Sequence, residues 1–196
     1  VQLAVVVQRM VEADAAGIMF TADPISGNRR VTSIDAGFGL GEALVSGLAN
    51  ADNYRVRGAS IVEKRIAGQD VATHAVAGGG THQVAIEPQQ RHAQTLTDEQ
   101  ILGLERIGRT IEAHFATPQD IEWARAGDEF FIVQSRPITT LFPIPDADDD
   151  KNHLYMSFGH QQMMTDAMKP LGLSFFLSQL GETPLVEAGG RLYIDM

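Results

Sequence analysis

The stretch Asp120–Ser135 constrains this chain more than any other part of it. Asp120–Ala124 and Glu129–Ser135 are both runs rich in β-branched and aromatic residues, separated by Arg125–Asp128, and the dipeptide Gly127-Asp128 suits a tight turn. The segment therefore reads as an antiparallel hairpin. In a register that pairs Glu122 with Gln134 about a turn centred near Asp128, the alternation of side chains puts Glu122, Gln134 and Arg136 on one face. Directly opposed residues hold their Cβ atoms about 4.5–5.5 Å apart. A carboxylate and an amide carbonyl at that spacing suit one hard cation such as magnesium, and Arg136 next along offers a planar donor fork to a phosphate oxygen. The same spacing also suits an ordinary exposed hairpin with a polar face, and spacing alone leaves both readings open.

Other segments fix the surroundings of that hairpin. Leu3–Gln8 is almost wholly apolar and reads as a buried strand, Gly17–Pro24 as a second strand, and Val31–Asp35 as a third that runs into Gly37-Phe38-Gly39-Leu40-Gly41. Glu42–Leu48 has helical character, and strands are expected at Tyr54–Arg57 and Ser60–Ile66. Val71–Pro88 alternates weakly and contains Gly78-Gly79-Gly80, which predicts an irregular loop with strand pieces. The clearest helix runs from Thr97 to Phe115: Thr97 with Gln100 makes a capping box, and Ile101, Leu104, Ile107, Ile111 and Phe115 form one apolar stripe. Pro143–Asn152 has the composition of an exposed linker whose aspartates nothing orders, and a Met-, Leu- and Phe-rich helical stretch begins at Thr165. The chain closes on a strand, RLYIDM. Both ends read as cuts through structure, so an internal fragment is expected.

Composition excludes some function classes. A net charge of −10 argues against a nucleic-acid surface, and no apolar run approaches the roughly 18 residues that span a membrane. With no cysteine there is no thiolate metal site or disulfide framework, which suits a cytoplasmic protein. The loop Gly37–Glu42 is either a phosphate cradle or a plain strand-to-helix turn, and it lacks the lysine of a Walker loop. His82, after the glycine triplet, reads as a loop histidine. His160 lines an acceptor pocket or is a hydrogen-bonded structural histidine, and Met163, Met164 and Met168 form either core or an adaptable ligand surface.

The order Val7-Gln8-Arg9-Met10-Val11, Gly17–Pro24, Gly39-Leu40-Gly41-Glu42, Asp120-Ile121-Glu122-Trp123 and Gln134-Ser135-Arg136-Pro137 resembles the ATP-binding half of the phosphoenolpyruvate synthase and pyruvate phosphate dikinase family, an ATP-grasp fold. That resemblance implies an α+β nucleotide-binding domain, its carboxy-terminal part over residues 1–142, then a linker over 143–152 and the start of an acceptor-binding domain over 153–196. It implies that Glu122 and Gln134 hold magnesium, that Arg136 contacts the ATP phosphates as the catalytic cation, and that Gln8 and the backbone of Met10 meet adenine. By the same resemblance Gly39, Gly41 and Glu42 approach phosphate or metal. The amino-terminal half of the fold and a domain bearing a phosphorylated carrier histidine lie outside this chain.

The runs Gln94–Thr97, Ile138–Pro145, Gly159–Asp166 and Met168–Phe176 are similar to one branch of that family, whose members phosphorylate a hydroxyl of the antibiotic rifampicin and release AMP and phosphate. In that branch His160, Gln161, Gln162 and Met163 are expected at the acceptor. Pyruvate, as acceptor of a phosphoenolpyruvate synthase, is the alternative. An ATP-grasp ligase and a non-catalytic nucleotide-binding module complete the readings.

Overall fold

A computed structural model describes residues 4–41, 50–147, 149, 151–161, 166–179 and 184–196. It divides into two compact units, Val1–Thr140 and Leu141–Met196. The first unit is built on one antiparallel sheet whose strands are β1 (Ala15–Phe20), β2 (Thr32–Phe38), β3 (Asp52–Arg57), β4 (Ser60–Arg65), β7 (Gln119–Ala126) and β8 (Glu129–Pro137), in the spatial order β4-β3-β2-β1-β7-β8. Between β4 and β7 come a two-stranded ribbon, β5 (Val71–Ala75) and β6 (Thr81–Ala85), and the helix α1 (Asp98–Phe115).

The sheet alternates cleanly between two faces. Met19, Ile34, Tyr54, Val56, Ile121 and Trp123 point to one side and bury completely or almost so against Ile101 and Leu104 of α1. Gly108 lets the helix sit close, since a Cβ there would come 2.6 Å from Cε of Met19. Arg109 ties the two layers by donating to the Thr21 carbonyl and to Oγ1 of Thr32 while pairing with Glu105 and Glu112. The capping box is present as expected, with the Thr97 side chain accepting from the Gln100 amide and the Gln100 side chain accepting from the Thr97 amide. The apolar stripe is shorter than expected, because Phe115 at its end is 55 % exposed. Buried Asp52 draws in the loops beyond β4. It accepts from the Tyr54 hydroxyl, from the amide and hydroxyl of Thr95, and from the Ala67 amide. Burial, and then this carboxylate, push the Tyr54 hydroxyl well above its ordinary pKa.

Two expectations for the first unit need correction, and the reading of His82 changes with the second. Leu3–Gln8 is not a buried strand over its described part: Val5, Val6 and Val7 are 86, 76 and 91 % exposed, in no regular element. An apolar run needs a neighbouring strand to bury it, and no described strand pairs with these residues. Val71–Pro88 is more regular than predicted, because Gly78-Gly79-Gly80, all at positive φ, turn the chain between β5 and β6 instead of dissolving it into loop. His82 consequently stands in a strand. The helical expectation at Glu42–Leu48 lies outside the described residues.

The second unit has a three-stranded antiparallel sheet in the order β10-β11-β9, from β9 (Tyr155–Ser157), β10 (Leu185–Ala188) and β11 (Arg191–Asp195), with helices α2 (Phe158–Gln161) and α3 (Pro170–Gln179). The helix expected from Thr165 begins instead at Pro170, a residue preorganised for the first helical position; Thr165 itself is outside the described residues. The described part of Pro143–Asn152 has no regular secondary structure. Its ends are nonetheless held. Pro143 lies against Gly189, the neighbouring Phe142 ring sits 5.1 Å from the Arg191 guanidinium carbon, and Asp149 accepts from the Lys151 amide. Among the described residues no helix is long and apolar enough to cross a membrane.

Candidate nucleotide site

Strands β7 and β8 pair Glu122 with Gln134 and Asp120 with Arg136. The route to that register is not the simple one. At the turn Ala126 faces Glu129, with Gly127 at φ 60° at the first loop position, so the hairpin starts on a two-residue turn. That count carries through Trp123–Ile132, and a bulge between Glu122 and Trp123 then shifts it by one. Val133 is the extra residue. If Val133 were paired in an unbroken ladder instead of bulged, Glu122 would face Val133, and Gln134 and Arg136 would turn to the helix side of the sheet, since a one-residue slip exchanges the faces. The bulged Val133 carbonyl accepts from Nε2 of Gln8 at 3.2 Å, which fastens the amino-terminal segment beside β8.

On the face away from α1, Gln134, Glu122, Ile18, Asp35 and Asn53 form one register row across β8, β7, β1, β2 and β3. Arg136, Asp120, Phe20, Ser33 and Arg55 form the next. Among the described residues neither the Glu122 nor the Gln134 side chain has a hydrogen bond or ion pair, so the oxygens of both remain available. A carboxylate and an amide oxygen fit magnesium, a hard cation that fills its other positions with water and substrate phosphates. Arg136 is oriented differently from expectation in one respect: its Nε donates to Oδ2 of Asp120 at 2.9 Å, and its Nη2 lies within 2.9 Å of the same oxygen as an ion pair. Asp120 is 12 % exposed and Arg136 64 %, so the carboxylate is the fixed partner and the rest of the fork faces outward. Sequence reasoning passed over Asp120, although its position two residues before Glu122 and opposite Arg136 was the available signal.

A cavity of about 620 Å³ opens beside this row, lined by Gln8, Arg9, Met10, Leu40, Gly41, Thr81, Glu122 and Val133 among others. Its size is that of an ordinary small-ligand pocket. Four of the residues expected at the nucleotide, Gln8, Met10, Gly41 and Glu122, thus meet around one space, with Gln134 and Arg136 following along β8. Gly39 does not line it. Gly39 holds φ 78°, and a Cβ there would come 2.3 Å from the Thr73 carbonyl oxygen, so glycine is required on both counts. The amides of Phe38, Gly39 and Leu40 donate to the Gln69 side chain, the Asp14 carbonyl and the Thr73 carbonyl. These amides fasten the loop to its neighbours, which is the turn reading of this glycine-rich segment. Glu42 is outside the described residues, as are Gln162 and Met163; His160 and Gln161 fall in α2.

This chain belongs to the family described as pyruvate phosphate dikinase, AMP/ATP-binding domain, which matches residues 1–154. Within it the chain is 63 % identical over 196 residues to the rifampicin phosphotransferase of Bacillus subtilis (strain 168), covering all of this chain and 22 % of that protein. The rifampicin phosphotransferase of Bacillus cereus is 60 % identical over 195 residues, again all of this chain and 22 % of that protein. A probable phosphoenolpyruvate synthase of Pyrococcus horikoshii is 46 % identical over 151 residues, 72 % of this chain and 18 % of that protein. The chain spans about a fifth of the length of the rifampicin phosphotransferases it matches.

Proposed function

We propose that this chain is the carboxy-terminal part of an ATP-grasp nucleotide-binding domain, followed by the opening of an acceptor-binding domain, in a cytoplasmic, magnesium-dependent phosphotransferase. ATP gives its β-phosphoryl group to a carrier histidine elsewhere in the enzyme, and from there to a rifampicin hydroxyl. Water takes the γ-phosphoryl group, so the products are AMP, inorganic phosphate and the phosphorylated drug. The observation that carries this reading is the convergence of Gln8, Met10, Gly41 and Glu122 on one cavity with Gln134 directly across from Glu122.

In this reading the Gln8–Met10 segment borders adenine, and Gly41 lets the nucleotide approach the backbone. Glu122 and Gln134 would hold magnesium, which supplies charge neutralisation on the transferring phosphoryl group and a template for its oxygens. Arg136, steadied by Asp120, presents its free donors to the same phosphates. His160, Gln161, Gln162 and Met163 contribute to the acceptor site. The test is incubation of the full-length enzyme with ATP, magnesium and either rifampicin or pyruvate, read by mass spectrometry. Phosphorylated rifampicin with AMP and phosphate is the expected result. The similarity of 72 % of the chain to a probable phosphoenolpyruvate synthase favours a second reading, with pyruvate as acceptor. Phosphoenolpyruvate forming while the drug stays unmodified would establish that second reading instead.

A further inference from the structure

The β5–β6 ribbon carries two histidines that the nucleotide site does not use. His74 and His82 are direct cross-strand partners, and their ring centroids stand 6.2 Å apart at an interplanar angle of 45°. His74 is half-buried and His82 exposed. Among the described residues, neither ring has a hydrogen bond or ion pair. Both imidazoles therefore keep their ring nitrogens unspent, on a short antiparallel frame that fixes the spacing of their Cβ atoms.

We propose that His74 and His82 form a two-imidazole site for a borderline divalent transition-metal ion, of which zinc is the representative. Neutral imidazole is the commonest protein ligand for such ions, whereas magnesium prefers oxygen. Zinc–nitrogen bonds of about 2.0–2.1 Å place two ring centroids about 5 Å apart in a tetrahedral site. The rings must therefore close by roughly an ångström from their present separation, a movement that side-chain rotation supplies. Water completes the coordination, because no third protein ligand stands beside the pair among the described residues. The ion would bridge β5 to β6 next to Thr81, which lines the 620 Å³ cavity, and would stiffen that part of its wall.

Two measurements test the site. Calorimetric titration of the full chain with zinc should show a binding event that loses at least tenfold in affinity in His74→Gln and equally in His82→Gln, the double variant being no worse than either. Titration with magnesium should leave that event untouched. Crystals soaked in zinc should give an anomalous difference peak between the two rings. Unfolding midpoints measured without metal should match the parent, which separates lost ligation from lost folding. Zinc affinity in either variant matching that of the parent, or an anomalous map empty at the ribbon, overturns the proposal. Nucleotide binding in zinc-free buffer should be the same in all of these chains, so the fate of this site and that of the nucleotide site are read separately.

Discussion

Glu122, Gln134, Arg136 and Asp120 sit within two register pairs, and each makes a different demand on the chemistry. Glu122→Ala removes the only charged oxygen ligand of the proposed cation pair while leaving the sheet core intact. Turnover of the full-length enzyme should therefore vanish with an unchanged unfolding midpoint, and normal turnover at ordinary magnesium would dismiss the assignment. Arg136→Lys keeps the charge but gives up the fork, and should cost more than tenfold in turnover, or about 1.4 kcal/mol. Asp120→Asn weakens the two contacts that aim the guanidinium. If Asp120 acts through Arg136, the double variant Asp120→Asn/Arg136→Lys will be no slower than Arg136→Lys alone; additive losses would give Asp120 a role of its own. The pairing of Glu122 with Gln134, with Arg136 on the same face, was legible in the sequence from strand alternation about the Gly127-Asp128 turn, whereas the roles proposed for these residues came from the family resemblance. The Arg136–Asp120 pair was not, since both residues already had simpler explanations as polar positions on a strand.

At the scale of elements, α1 was readable because its start is a local event: Thr97 and Gln100 find each other within one turn. Its end is just as local but less marked in sequence. The C-cap Ala116 lies in the left-handed region at φ 54°, where a Cβ costs roughly 1–2 kcal/mol. Ala116→Gly should raise stability by about 1 kcal/mol, measured by denaturant unfolding, provided glycine's extra freedom in the unfolded chain takes back only part of the gain. The β7–β8 hairpin shows the opposite case. Gly127-Asp128 advertises the turn, yet nothing in Phe130–Val133 marks where the extra residue falls, because a bulge is set by what the flanking rows require and not by a residue type. Deleting Val133 should therefore leave a folded, bulge-free hairpin, judged by circular dichroism, in which Glu122 still faces Gln134 and magnesium–ATP still binds. Loss of nucleotide binding in that deletion would show that the bulge itself, through the Val133 carbonyl that holds Gln8, shapes the site. The misread run Leu3–Gln8 teaches the same lesson, since burial belongs to a strand and its neighbours together.

On the scale of the whole molecule, the second unit holds a titrating clasp. His153 lies between Asp149 and Asp195, 2.8 Å from each, and stacks on Tyr155. The contacts with Asp149 and then Asp195 raise its pKa above the ordinary histidine value, and the His153 contact holds Asp149 below the usual carboxylate range. The raised group contributes stability that is complete below the ordinary histidine pKa and lost as pH rises through the folded one. The depressed carboxylate contributes above its ordinary pKa and fails in acid. Lys151 also pairs with Asp149, at 3.3 Å. Hydrogen-exchange protection over residues 151–155, corrected for the intrinsic rise of exchange with pH, should consequently fall at alkaline pH beyond the histidine range, and His153→Gln should remove that fall. Protection in the parent that ignores the histidine titration would show that the clasp bears nothing.

The first unit ends at Thr140, a few residues past Arg136, and β8, the outermost strand of its sheet, is the one that leaves it. Gln134 and Arg136 therefore lie directly on the load path of the connection. Any tension along the chain at Leu141 reaches these side chains before it reaches the core, and it acts on an outer strand secured on one side by β7 and fastened at Val133 by Gln8. The stretch Gln134–Arg136 is, in mechanical terms, the first link of a tether.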